Sequence, residues 1–97
     1  MPRYVVLVNW TDQGIRNVKQ TIERTDHGGE IAEKHELKLE KAYWTVGAYD
    51  MVTVFEVPDE EALSAHLLEI GSLGNVRTTM LRAYDEEEMS GILGRLG

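Results

Sequence analysis

Between Arg3 and Trp10 the chain carries Val5, Val6, Leu7 and Val8 in succession, a run that predicts a strand buried on both faces and central in its sheet. Thr11 then offers a helix N-cap and Asp12 a charge suited to the positive helix end. Ile15, Val18 and Ile22 recur on one face, so a first helix follows the strand directly. Asp26-His27-Gly28-Gly29 reads as a breaker, and Glu30 to Glu36, carrying Ile31 and Ala32, as a short polar helical connector. From Leu37 the pattern alternates, with Leu37, Leu39, Tyr43 and Thr45 on one side and Ala42, Trp44 and Val46 on the other, which predicts a second strand. Gly47-Ala48-Tyr49-Asp50 turns the chain into a third strand, Met51 to Val57, which Pro58 ends because proline cannot donate to a ladder. Asp59 caps a second helix with Glu60 and Glu61 in its first turn and Leu63, Leu67 and Ile70 as its buried stripe, closed by Gly71 and Gly74. Val76 to Tyr84 is a fourth strand. Asp85-Glu86-Glu87-Glu88 opens a last helix with Met89, Ile92, Leu93 and Leu96 at helical spacing.

The order βαββαβ with a trailing helix predicts an α+β fold: a ferredoxin-like antiparallel sheet with helices on one face and an extra C-terminal helix. One domain spans residues 1–97, since the chain holds no repeat or linker and is too short for two cores. The second sheet face then needs a cover, because strands apolar on both sides would expose more apolar surface than soluble monomers tolerate. A second copy of the chain is the simplest cover, giving a homo-oligomer, at least a dimer, in which the tail helix clasps the partner or joins a further interface.

Composition narrows the function. Hydrophobic residues make up 42% and charged residues 28%, the balance of a globular chain rather than a disordered one. With no cysteine there is no disulfide framework, no thiolate nucleophile and no cysteine-type metal site. A net charge of −7 without any basic cluster repels phosphate backbones and anionic lipid, so neither nucleic acid nor membrane is an expected partner. The N-terminal apolar run reaches Asn9 too soon for a signal peptide or a span, and the cytoplasm is the expected location.

Gly47-Ala48-Tyr49-Asp50, together with Asn9-Trp10-Thr11-Asp12-Gln13-Gly14 and Leu73-Gly74-Asn75-Val76-Arg77, resembles the GYD domain family over nearly the whole chain. That family is named for a Gly-x-Tyr-Asp signature and is similar to the dimeric α/β barrels, which include small monooxygenases, isomerases and ligand sensors. The resemblance implies a fold of the dimeric α/β barrel type rather than one activity, because such a fold hosts many. The chain departs from the family in the connector, where Glu33-Lys34-His35-Glu36 replaces a glycine-rich turn.

Each candidate residue carries a structural reading beside a functional one. At the signature, Gly47 supplies a special backbone angle, Asp50 bonds turn amides and Tyr49 packs. In the functional alternative Asp50 accepts a proton or anchors a ligand and Tyr49 donates. Trp10, Tyr43, Trp44 and Phe55 are core aromatics or the wall of a pocket for a flat organic ligand. Asn9 interrupts an apolar strand, and Thr11 is a plain cap or part of an anion-binding helix start. His66 flanks the Leu63 and Leu67 stripe, as a half-buried bystander or a group edging into a sheet-to-helix pocket. Arg77 stands where it would pair with Asp50 or bind a ligand carboxylate. His27 and His35 read as solvated, and no metal site or cofactor is expected, for no spacing fits a zinc or calcium site, a Walker loop or a dinucleotide fingerprint.

Two functions lead, ahead of a purely structural oligomer. The first is an oligomeric small-molecule-binding or assembly module without turnover. The other is a cofactor-free isomerase or monooxygenase of the dimeric α/β barrel type, using Asp50, Tyr49 and His66 for proton transfer on a small organic substrate.

Overall fold

The computed structural model describes residues 1–97. Strand β1 (Arg3–Trp10) leads into a short helix α1 (Asp12–Arg16), a 3-10 turn at Val18–Gln20 and helix α2 (Thr21–Lys34). Strands β2 (Lys38–Trp44) and β3 (Met51–Glu56), helix α3 (Glu60–Ser72), strand β4 (Val76–Ala83) and helix α4 (Glu86–Leu93) complete the chain. The sheet order is β2-β3-β1-β4 and every pair is antiparallel, so β1 is central and the ferredoxin-like α+β fold stands. No helix is long and apolar enough to cross a membrane.

Alternation in β1 decides where the core lies. Tyr4, Val6 and Val8 are buried with Met51 and Phe55 of β3 and with Ala32, Leu37, Val57 and Leu63. Their neighbours Val5 and Leu7 face the other way, in register with Val54 and Leu81 and with Val52 and Thr79, and are only half-buried. The expectation of a first strand buried on both faces is therefore corrected for the single chain. Leu81 and Tyr43, on this second face, are exposed.

The single helix expected after β1 is two helices. Asn17 leaves helical geometry and its side-chain amide caps the Gln13 carbonyl. Arg24 of the next helix donates to the carbonyls of Asn17 and Gly14, fixing the break. Ile15 and Ile22, expected on a buried stripe, are exposed. Conversely, α2 runs without interruption through Asp26-His27-Gly28-Gly29 and absorbs most of the expected connector. Glycine weakens a helix interior by only about 1 kcal/mol each, and the burial of Ile31 and Ala32 at the far end of α2 offsets that cost.

Helix α2 stops in a Schellman arrangement, with Leu37 N–H donating to the Ala32 carbonyl and Glu36 N–H to that of Glu33. Glu36 sits there in the left-handed region, at φ 62°, where glycine is favoured. Glu36→Gly is expected to raise stability by about 1 kcal/mol, read as a higher urea midpoint; an unchanged or lower midpoint contradicts the strain at this position.

In β2 the register shifts between Leu39 and Lys41, a bulge at Glu40 that places Leu39, Ala42 and Trp44 on the helix side and Tyr43 on the other. Strict alternation had put Leu39 and Tyr43 together, and the extra residue is what separates them. Asp59 caps α3 by accepting from Ala62 N–H at 2.8 Å, and Asp85 and Glu88 form a capping box at α4, as the acidic helix starts predicted.

Candidate functional site: a cleft between sheet and helices

The helix face of the sheet is not filled. A cleft of ≈ 490 Å³ runs between β1 and β3 on one side and α2 and α3 on the other. Its floor is Val6, Val8, Met51, Thr53 and Phe55; Leu67 and Ile70 of α3 form one flank, and Thr25, Gly28 and Gly29 of α2 the other. Trp10, Asn75 and Val76 close one end, and Glu23 and Arg24 add one charge of each sign. The size lies within the range of small-molecule sites, and the apolar lining with few polar groups is their usual composition.

His66 is the unusual residue in this lining. It lies on the inner face of α3 with 2% of its surface exposed, whereas the sequence placed it at a half-buried flank. Its ring meets Phe55 edge-on at 5.5 Å and His35 at 6.3 Å, and its buried Nδ1 has no hydrogen-bond partner. Burial pushes the imidazole pKa down to about 4, the nearby His35 pushes the same way, and Glu69 opposes both. His66 is thus a neutral hydrogen-bonding group at neutral pH. His35, expected to be solvated, is half-buried and holds Glu69 through Nε2 at 3.2 Å, tying the end of α2 to α3.

The other candidates do not gather around His66. Asp50 lies outside the cleft lining, and its Oδ2 accepts from the Trp10 backbone N–H at 2.8 Å. Its own N–H donates to the Val8 carbonyl and its carbonyl accepts from Thr45 N–H. Tyr49 is exposed in the turn, where its carbonyl accepts from the Thr45 hydroxyl at 2.6 Å. Gly47 needs no special angle, because the one glycine with positive φ is Gly74, at 89°. Thr11 accepts from Gly14 N–H and donates its hydroxyl to the Gly74 carbonyl at 2.6 Å. Asn9 and Arg77 stand opposite each other on the sheet face away from the cleft, and no ion pair links Arg77 to Asp50. Trp44 donates from its indole to Thr21 at 3.0 Å, bracing β2 against the start of α2. Of the aromatics, Trp10 and Phe55 line the cleft, while Tyr43 is on the opposite face.

The three signature segments meet at one end of the sheet, joined by the bonds of Asp50, Thr11 and Gln13, the last reaching both the Leu73 carbonyl and Asn75. They hold the turn from β1 into α1, which carries Trp10 at the cleft end. Asp50→Ala is expected to cost about 1–2 kcal/mol by freeing the half-buried Trp10 amide, and Asp50→Asn less, since a carboxamide oxygen still accepts. Equal losses in a thermal melt contradict this role. Among the cleft residues missed in the sequence are Thr21, Thr25, Gly28 and Gly29 of α2 and Thr53 of β3. For the α2 residues the signal is the spacing of small residues at 21, 25, 28, 29 and 32, one helical face.

An antiparallel four-stranded sheet, two main helices on one face and a cleft between the layers define an α+β ferredoxin-like domain. The same fold is found in a feast or famine regulatory protein from M. tuberculosis solved with L-methionine, at a TM-score of 0.65 and 21% identity. The match covers 88% of this chain and 51% of that one, so the chain spans about half the length of the mycobacterial regulator. A protein from Thermus thermophilus matches at a TM-score of 0.56 and 25% identity, over 88% of this chain and 95% of its own. The family model of the GYD domain matches residues 4–93, and the chain belongs to that family. The glutamine synthetase and cystathionine beta-lyase binding protein of Thermus thermophilus is 30% identical over 84 residues, 86% of this chain and 88% of the relative.

Proposed function

We propose that this protein is an oligomeric binding module that takes a small organic molecule into the cleft between sheet and helices without turning it over. The observation that carries the reading is the unfilled cleft of ≈ 490 Å³, apolar on its floor and holding a neutral, unpartnered His66. A catalytic reading that combines Asp50, Tyr49 and His66 has less support, because Asp50 is occupied with the Trp10 amide and Tyr49 lies in an exposed turn. The L-methionine complex of the feast or famine regulator is consistent with a fold suited to small ligands.

Assembly is the second reading, and a different observation favours it. Val5, Leu7, Val52, Val54 and Leu81 form an apolar sheet face away from α2 and α3, suited to a second copy of the chain. The protein-binding role in the name of the Thermus relative supports a part for such surfaces in contacts with enzymes. A native mass spectrum of protein from its own host tests both readings. The expected result is a complex of two or more chains carrying an adduct of small, defined mass. An oligomer that retains no molecule and takes up none from a metabolite extract overturns the ligand reading and leaves assembly; a monomer overturns assembly.

A further inference from the structure

Small side chains stand along the cleft side of α2, where Thr21 and Thr25 reach the sheet at Trp44 and Met51 while Gly28 and Gly29 reach nothing. Thr21, Thr25, Gly28 and Gly29 all line the cleft, while the large Ile22 of the same helix points outward, 63% exposed. A helix that merely covers a sheet carries large apolar residues on its inner stripe. Neither glycine is required by its neighbours, for a Cβ at Gly28 or Gly29 meets no atom within 4 Å. Neither is required by its backbone angle, since only Gly74 among the glycines has positive φ. Two adjacent glycines therefore weaken the helix with no return in packing, and what they provide is open space beside the backbone. Across that space lie Met51 and Phe55, and His66 lines the same cleft with Nδ1 lacking any partner. The enclosed Nδ1 is not open to the cleft, so a ligand bond falls to the edge of the His66 ring that lines it.

We propose that Gly28 and Gly29 are the specificity-determining wall of the cleft, which accepts a flat, neutral aromatic molecule bearing a hydroxyl: one face against the α2 backbone, the other on Met51 and Phe55, the hydroxyl bonded to His66. This rests on the reading of the cleft as a binding site. The molecule is flat because glycine backbone offers a surface without projecting groups. It is neutral because Glu23 and Arg24 balance at the cleft, and Arg24 already spends N–H groups on the Asn17 and Gly14 carbonyls. The hydroxyl matches the uncharged imidazole, which donates or accepts according to its tautomer.

The test uses 1-naphthol as probe, with naphthalene as its hydroxyl-free counterpart, in calorimetric titrations of the full chain. Wild type is expected to bind naphthol more tightly than naphthalene, and His66→Leu to erase the difference. Gly28→Leu and Gly29→Leu are each expected to weaken naphthol binding by about tenfold or more while the melting temperature holds or rises. Glu33→Leu, on the exposed side of the same helix, is the control and leaves affinity unchanged. Gly28→Ala and Gly29→Ala are expected to raise the melting temperature, because alanine is the better helix former. Leucine variants that bind naphthol as wild type does overturn the glycine wall and leave the cleft reading intact. Variants that melt well below wild type, the alanines included, show a packed wall and also overturn it. A wild type that binds neither probe overturns the ligand class, and a native mass spectrum with no retained molecule then removes the binding reading itself.

Discussion

Gly14→Ala is expected to cost about 3 kcal/mol or more, the upper range for overpacking, and to lower the melting temperature by roughly 15 °C. A Cβ at Gly14 would stand 2.0 Å from the Asn75 carbonyl oxygen and 3.2 Å from the Trp10 Cβ. Both neighbours are main-chain or anchored at the main chain, so neither can swing aside as the end of a long side chain would. Relief requires α1 to lift from the Gly74-Asn75 segment. That movement breaks the Thr11 N–H bond to Asn75 and the Thr11 hydroxyl bond to Gly74. The size of the loss is a large part of the roughly 5–15 kcal/mol that holds a domain of this size together. Gly91→Ala in α4 is the control, since a Cβ there meets nothing within 4 Å, and it is expected to be neutral or stabilising. A Gly14→Ala protein that melts like wild type shows that α1 is not docked by its backbone.

His66 gives the second large effect, a loss of stability in mild acid. Its folded-state pKa is pushed down to about 4 from 6.5, chiefly by burial. Above pH 6.5 neither folded nor unfolded chain carries the proton, and the group contributes no pH dependence. Between pH 6.5 and 4 the unfolded chain takes up a proton that the folded chain excludes, so stability falls as pH falls, by about 3 kcal/mol at the lower end. The charged or titratable groups facing the ring are His35, on the connection after α2, and Glu69, on α3 itself, and these two hold each other. The carboxylates of Glu40 and Glu88 are held below their ordinary range, by Arg3 in one case and by the Asp85 amide and Arg82 in the other. Their contribution is lost at lower pH still, as they protonate, and so does not mimic the histidine in the window above pH 5. His66→Leu is expected to flatten the dependence between pH 7 and 5 and to remove the unpartnered Nδ1 from the interior. Equal pH slopes in wild type and variant over that window would show that the imidazole is not kept neutral by the fold.

The signature residues make backbone-supporting bonds in this structure, Asp50 to the Trp10 amide and Tyr49 to the Thr45 hydroxyl, and they illustrate why spacing alone is a poor guide to roles. The sequence favours Asp50 as a turn residue over a base but does not name the amide it bonds, which is that of Trp10 at 2.8 Å. The distance depends on how β1 pairs with β3, which local pattern does not specify. The helix after β1 shows the same limit. Ile15, Val18 and Ile22 satisfy the helical period, yet the chain breaks at Asn17 because Arg24, seven residues on, holds the Asn17 carbonyl.

The sequence by itself determined the strand order along the chain, the central place of β1, the acidic caps of α3 and α4 and the antiparallel ferredoxin-like plan. Each depends on neighbours within a few residues: side-chain period, capping oxygens and the missing N–H of proline. Tertiary structure alone decided that α2 passes through Gly28 and Gly29, that a bulge at Glu40 turns Tyr43 away from Leu39, and that His66 is enclosed. It also decided that His66, Trp10 and Phe55 line a cleft, that Asp50 and Thr11 bond the end of the sheet, and that Asn9, Arg77 and Tyr43 lie on the opposite face. These outcomes are set by layer-to-layer distance and strand register, sums of many weak contacts between residues far apart in the chain. A glycine that reads locally as a stop is carried through a helix when distant packing offsets about 1 kcal/mol.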